Sequence, residues 1–286
     1  MIIKHLIDYK DYLPGNIHLK TSGSMKIDPP ILNKPLISII TIVRNAKKTI
    51  EKNILSVNNQ TYKNYEYIIV DGLSQDGTLE IIKKYNSSIT KWISEKDGGA
   101  LDAINKGIAM SNGEIIFLLS ADDWIIKDTL DTIIDGFNVN KNSSFIYGDM
   151  TMVSKKKQLT VKGDLDYKAK LKKGLPKFNY PTWAIKKSVY ENLGLYTLSF
   201  QWNSDYEYLI RTYQNKIEGS YVEKFNVFRS TGGQGESNIL ISAFDTLRIN
   251  QIYNLPVFLP SIRIFSDTCA IYFKITLSKI KKLLIN

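Results

Sequence analysis

The sequence has little of what disulfide-stapled, zinc-bound or membrane-spanning proteins need. It holds one cysteine, Cys269, so no internal disulfide can form. With only two histidines beside it, a Cys/His zinc cluster is excluded as well. A reducing compartment suits such a chain, and the cytoplasm is its expected place. No stretch of about 20 residues is free of charge, so no transmembrane helix is expected. The opening residues, MIIKHLIDYKDYLPGN, are interrupted by Lys4, Asp8, Lys10 and Asp11 and lack the apolar centre of a signal peptide. Two phosphate-binding signatures are also missing. There is no GxGxxG after a strand and no GxxxxGK[ST], so neither the dinucleotide fingerprint nor the P-loop is present. Internal repeats and low-complexity tracts are absent too.

What remains is an ordinary globular composition, with 43% hydrophobic residues in 286. That suffices to bury a sheet covered by helices on both faces, and the length suits one large domain or one domain with an appendage. Lys and Arg outnumber Asp and Glu by 38 to 28, a formal net charge of +10. A basic surface favours anionic partners such as acidic lipid headgroups or phosphorylated ligands, and it also keeps a lysine-rich protein soluble. Nucleic acid is not an expected partner, because no binding motif or aromatic stacking platform accompanies the charge.

Residues 1–35 read as an irregular arm punctuated by Gly15, Gly23, Pro29, Pro30 and Pro35. The texture then changes. Leu36–Val43 (LISIITIV) is a continuous β-branched run, as in a strand buried on both faces. Helical spacing follows at Ile50, Ile54 and Val57, then a second strand at Tyr65–Asp71. A helix is expected over Asp76–Tyr85, a short strand over 91–95, a helix over Ala100–Met110, a strand over Glu114–Ser120 and a helix over 127–137. Such alternation predicts an α/β fold with a mostly parallel sheet, its ligands held beyond the carboxyl ends of the strands. Past residue 145 the pattern loosens into short strands (144–153, 157–162, 180–186) and helices near 187–193, 204–214 and 236–286.

Polar residues collect at the expected strand ends. The strand EIIFLLS runs into Ala121, Asp122 and Asp123. Adjacent carboxylates there repel each other, which either a divalent Mg²⁺ or Mn²⁺ ion or a helix N-cap role for Asp123 or Asp128 would relieve. Asp71 ends an apolar strand and leads into Ser74, Asp76, Gly77 and Thr78, a turn suited to a nucleotide base or simply to starting a helix. Gly98 and Gly99 precede a helix on which Asp102, Asn105 and Lys106 share a face, functional or merely salt-bridged. Ser204 can cap a helix whose first turn carries Asp205, a carboxylate suited to general-base work or to the helix dipole. Phe228–Ser237 (FRSTGGQGES), with Arg229, is a mobile lid or a linker.

In this order, these segments resemble the family 2 glycosyltransferases of GT-A fold, from about Pro35 to Ser237. PLISIITIVRNAKKTIEKNILSVNNQTYKNYEYIIVDGLSQDGT resembles the family's opening block. ISEKDGGALDAINKGIAMSNGEIIFLLSADDW resembles its metal-site block, and WNSDYEYLIR its catalytic-base block. The resemblance implies a Rossmann-like, mostly parallel central sheet flanked by helices over residues 36–235, with a helical C-terminal extension over 236–286. It implies an inverting transfer from a nucleotide-sugar, a UDP-sugar first among them, to a polyprenyl-diphosphate-linked saccharide in the making of bacterial O-antigen, capsule or a related polysaccharide. A catalytically inactive nucleotide-sugar binder is the alternative. Thr41 and Val43 would line the base pocket, with Asp71 bonding the base. Asp97, Lys106 and Ala121 would lie near the nucleotide. Asp122 would hold Mg²⁺ or Mn²⁺, shared with Asp123, and Asp205 would be the base. The chain departs from the family pattern at Ser120, where the first aspartate of DxD is expected, and at Tyr180-Pro181, where relatives often carry His-Pro near the acceptor site. Trp183, Trp202, Tyr180 and Arg229 are expected on the acceptor or loop side, with core packing open for the two tryptophans.

Residues 257–286 (VFLPSIRIFSDTCAIYFKITLSKIKKLLIN) interleave apolar and aromatic residues with Arg263, Lys274, Lys279, Lys281 and Lys282. Such a stretch is suited to lying on an anionic membrane surface or to packing on the domain. The expected location is therefore the cytoplasm, peripheral to the inner face of the plasma membrane.

Overall fold

The computed structural model describes residues 22–24, 34–154, 157–171, 176, 180–200, 203–230 and 239–255. In chain order the strands are β1 (Ser22–Ser24), β2 (Ile37–Val43), β3 (Tyr65–Asp71), β4 (Lys91–Ser94), β5 (Ile115–Leu118), β6 (Asp123–Trp124), β7 (Phe145–Val153), β8 (Gln158–Val161), β9 (Trp183–Lys186) and β10 (Gly219–Ser230). The helices are α1 (Ile50–Asn58), α2 (Thr78–Lys84), α3 (Ala100–Met110), α4 (Thr129–Val139), α5 (Tyr167–Leu171), α6 (Lys187–Leu193), α7 (Ser204–Gln214) and α8 (Ile239–Ile252).

The strands form one sheet in the order β1-β4-β3-β2-β5-β9-β7-β10-β6, with β8 on the flank of β7. The stretch β4-β3-β2-β5 is parallel throughout, as the strand–helix alternation predicts. Beyond it β9 runs antiparallel to β5 and β7, and β7 pairs in parallel with β10. Part of the expected irregular arm is strand: β1 pairs antiparallel with β4.

The period of two along β2 and β3 sorts side chains to two faces. Ile37, Ile39 and Val43 of β2, with Tyr67 and Ile69 of β3, meet Ile50, Ile54 and Val57 of α1 on one face. Ile40, Ile68 and Val70 meet Leu101, Ile104 and Ile108 of α3 on the other. Each such aliphatic side chain, fully buried, contributes about 1.5–3 kcal/mol. At the amino ends of these strands the fully buried Glu66 accepts from Ser38 Oγ at 2.6 Å and from the Gly113 amide at 3.2 Å, with Lys91 at 3.3 Å. A buried carboxylate needs such partners, and its place opposite the ligand-binding end marks it as structural.

Three boundaries moved from the sequence reading. Helix α2 begins at Thr78, because Gly77 at φ 98° ends the preceding turn. Strand β5 stops at Leu118, and residues 180–182 form a 3-10 turn ahead of β9. The long strand β10 was not anticipated, its only buried apolar pair being Phe225 and Val227. The expected tail helix (257–286) and most of the glycine-rich segment (231–237) lie outside the described residues.

Candidate active site

The last parallel ladder bond at β5 runs from the Leu119 amide to Ile40 O at 2.9 Å. The chain then turns: the Asp123 amide donates back to Ser120 O at 2.9 Å. This Ser120–Asp123 turn carries both adjacent aspartates, and they part ways. Asp123 begins β6, which pairs with Phe228 and Arg229 of β10. Its carboxylate is buried and gripped by Arg229, Nε to Oδ1 at 2.7 Å and Nη2 to Oδ2 at 2.9 Å. Burial raises the Asp123 carboxyl to about 6, with the Arg229 guanidinium pulling it back down. Asp122 is half-buried, its backbone oxygen accepts from the Ser230 amide at 3.3 Å, and no side chain among the described residues donates to its carboxylate.

Two expectations change here. Asp123, expected to share an ion with Asp122, has both its oxygens engaged by the Arg229 guanidinium. Arg229 belongs to the end of a strand rather than to a loop or acceptor surface, and its task is to neutralise Asp123. The N-cap alternative fails for Asp123 as well. Asp128 stands at the α4 N-cap without a side-chain cap bond. Arg229→Gln keeps one donor and loses the charge. We expect it to cost about 1.5–3 kcal/mol at pH 7, the range for a charged hydrogen bond. The loss should shrink toward pH 5 in urea titrations, since Asp123 protonates more readily in the folded state than its ordinary carboxyl value allows and the charge on it is what Arg229 offsets.

On the neighbouring strand ends two loops are laced together. The Asn45 amide donates to Ser74 Oγ at 2.8 Å, Gln75 N to Asn45 Oδ1 at 2.9 Å, Lys47 N to Asp76 Oδ2 at 3.0 Å and Ala46 N to Thr78 Oγ1 at 2.9 Å. Asp76 thus serves the turn. Asp71 is fully buried, its carboxylate accepting from Ser74 and, at 2.6 Å, from Ser94 Oγ. It fixes the loop from beneath. Asp97 closes on the same loop so tightly that a Cβ on Gly72 would stand 2.4 Å from its Oδ2. Lys106 is held by Glu95 at 2.6 Å and Asp102 at 3.0 Å, the salt-bridged arrangement open from sequence. Val43 and Ala121 are buried in the core beside these loops.

Thr41 does not line a pocket. It is fully buried and faces α1, where its hydroxyl donates to Asn53 Oδ1 at 3.3 Å. The even–odd alternation that puts Ile39 and Val43 on the α1 face puts Thr41 there too.

Asp205 sits in the first turn of α7. Its Oδ1 accepts from the Tyr206 amide at 2.8 Å, and no side chain among the described residues donates to it. Burial raises it to about 6, against the Tyr206 amide and the charge of Arg229. The charge of Arg229 therefore bears on both Asp123 and Asp205. Asn203, not Ser204, takes the N-cap position, and its amide reaches α8 instead, donating to Ser242 O at 2.7 Å and to Thr246 Oγ1.

The acceptor-side expectations fare differently. Trp183 is 1% exposed and packs against Phe145 and Tyr208, so it is core, not a sugar platform. Tyr180 opens the 3-10 turn before β9, and Trp202 lies outside the described residues. Sequence reasoning missed Asn53 and Asn203. A polar residue inside the buried stripe Ile50, Asn53, Ile54, Val57 was the available signal for the first.

Known proteins resemble the chain in sequence and in fold. Residues 38–194 match the family model for glycosyl transferase family 2. The chain is 28% identical over 187 residues to a PGL/p-HBAD biosynthesis glycosyltransferase of Mycobacterium bovis, covering 63% of this chain and 71% of that one. It is 32% identical over 124 residues to TuaG of Bacillus subtilis, named as a putative teichuronic acid biosynthesis glycosyltransferase, covering 42% of this chain and 49% of TuaG. Among solved structures, Staphylococcus aureus TarS 1-349 in complex with UDP-GlcNAc superposes with a TM-score of 0.62 at 17% identity, over 80% of this chain and 69% of that one. The mannosyltransferase PcManGT of Pyrobaculum calidifontis, in complex with GDP-Man and Mn²⁺, superposes with a TM-score of 0.59 at 15% identity, over 90% and 74%. At these identities the likeness is one of fold, and the fold is GT-A.

Proposed function

The chain belongs to glycosyl transferase family 2, and from that premise we propose that it moves a sugar from a nucleotide-sugar donor to a lipid-linked saccharide with inversion at the anomeric carbon. The observation that carries this reading is the split between two adjacent aspartates: Asp123 is paired with Arg229, whose charge also lowers the Asp205 carboxyl, while no side chain among the described residues donates to the Asp122 carboxylate.

The residues present fit a divalent cation of the Mg²⁺ or Mn²⁺ kind. Asp122 offers hard oxygen at the strand tip with no described side-chain donor opposed to it. Among the described residues no three His, Cys, Asp or Glu side chains cluster, so Asp122 would hold the ion together with the donor's own phosphates, as suits an ion that keeps few protein ligands. When bound, it neutralises charge on the departing diphosphate. The laced 44–47 and 74–78 loops, propped by Asp71 and closed by Asp97, seat the nucleoside. Asp205 takes the proton of an acceptor hydroxyl. That oxygen forms its bond to the anomeric carbon as the bond to the diphosphate oxygen breaks on the opposite face.

A relative named for teichuronic acid biosynthesis favours a growing saccharide as acceptor. On this reading the basic, aromatic sequence of residues 257–286 brings the enzyme to its acceptor through anionic lipid.

Thermal unfolding with UDP-GlcNAc, UDP-glucose and GDP-mannose tests the donor claim. One donor at about a hundredfold excess over its Kd should raise the midpoint by about 5–10 °C with Mn²⁺ present, and EDTA should abolish most of that shift. A flat response to every nucleotide-sugar, with and without metal, would sink the reading.

A further inference from the structure

We propose that Asn53, on helix α1, is the positioning residue that aims Asp122, holding the Ser120–Asp123 turn from the side opposite the ligand. The inference rests on the transferase reading through Asp122 alone.

Asn53 is fully buried. Its Nδ2 donates to Ser120 O and to Asp123 O, each at 2.9 Å, so one amide grips both ends of the turn. Its Oδ1 accepts from the Tyr67 hydroxyl and, at 3.3 Å, from Thr41 Oγ1. The two backbone carbonyls fix the orientation of the amide, because a flip would set Oδ1 against both carbonyl oxygens, acceptor to acceptor, whereas the two hydroxyls can donate or accept. The turn is thereby tied to β2, β3 and α1, the most deeply buried part of the sheet. Asp122 is the residue between the two gripped carbonyls whose side chain is left for a ligand. A Ser120 side chain in place of an acidic one gives the turn one fewer carboxylate for a cation, so the aim of Asp122 carries correspondingly more of the binding.

The test is calorimetric titration of the full chain with UDP and, in a second arm, GDP, each with and without Mn²⁺. Outer partners that orient a ligand residue typically govern about ten- to a hundredfold of metal affinity. Asn53→Ala should therefore weaken the Mn²⁺-dependent part of nucleotide binding by about that factor, while binding without metal, which uses the 44–47 and 74–78 loops, stays at the wild-type level. A uniform loss with and without Mn²⁺ would show Asn53 to be a packing residue and overturn the proposal. Should Asn53→Ala fail to fold, Tyr67→Phe serves instead. It leaves both carbonyl bonds in place and removes one of the two hydroxyls that meet the amide oxygen. Weakened binding with Mn²⁺ alone supports the role, and an unchanged Mn²⁺ response in Tyr67→Phe, as in Asn53→Ala, overturns it. A wild type that binds neither nucleotide with Mn²⁺ would instead strike the transferase reading itself, and this inference with it.

Discussion

Replacing Asp205 with asparagine is expected to lower the transfer rate by about 10²–10⁴-fold, the range that a positioned general base supplies. Donor binding should hold, because the nucleoside loops and Asp122 are untouched. The sign of the pH dependence follows from the position of the carboxyl. Burial raises it to about 6. A base works deprotonated, so kcat/KM in the wild type should fall as pH drops through about 6, and the residual rate of the asparagine variant should lack that limb. Stability moves the other way. A carboxyl whose folded value lies above its ordinary one is costly when charged, so wild-type stability declines as pH rises from near 4 through 6. Asparagine carries no such charge, and the variant should melt at or above the wild-type temperature at pH 7 and higher. A variant that is slower and less stable at pH 7 would point to a structural role for Asp205 instead. A variant at full rate would remove Asp205 from the chemistry.

The parts of this site differ in how far sequence alone exposes them. The parallel half of the sheet was legible because its signal is local: β-branched runs such as LISIITIV, spaced by helical periodicity, need no distant partner to be read. Asp71 and Asp122 stood out because an acid ending an apolar strand has few cheap explanations. What each does depended on contacts made across the chain. Asp123 meets an arginine 106 residues away, and Thr41 meets an asparagine 12 residues on. The stretch from Gly219 to Ser230 has Glu223 and Lys224 at its middle and little apolar alternation, so its pairing with β7 is set by the sheet, not by its own propensity. Trp183 shows the limit in the other direction. An aromatic near a proline by the site suits a sugar, yet on β9, between β5 and β7, Trp183, Ala184 and Ile185 are all buried, so the indole is packed against Phe145 and Tyr208.

Helix α7 presents Asp205 only because its far face is anchored, and the anchor is a buried ion pair. Glu207 and Arg211 lie one turn apart, their side chains 0% and 4% exposed. Arg211 Nε donates to Glu207 Oε1 at 3.0 Å and Nη2 to Oε2, while the Tyr253 hydroxyl just past α8 donates to the same carboxylate. The other guanidinium nitrogen, Nη1, reaches three carbonyls at the end of α6 and just past it, those of Leu193, Gly194 and Leu195, at 3.2, 3.4 and 2.8 Å. Glu207→Ala strands the guanidinium in the interior and is expected to cost about 3–5 kcal/mol, the range for breaking a buried pair. In a domain of this size that lowers the melting midpoint by about 10 °C. Swapping both partners for apolar residues, Glu207→Leu with Arg211→Met, removes the stranded charge and should recover most of the loss. Recovery should stop short of wild type, because the Leu193 and Leu195 carbonyls lose their Arg211 donor, while Gly194 O keeps the Tyr208 hydroxyl at 3.1 Å, and orphaned buried acceptors carry their own cost. The two variants, followed by urea denaturation, separate these contributions. If the double variant were as unstable as Glu207→Ala, the stranded charge would not be the dominant cost, and the carbonyl contacts would be what pins α7 beneath its aspartate.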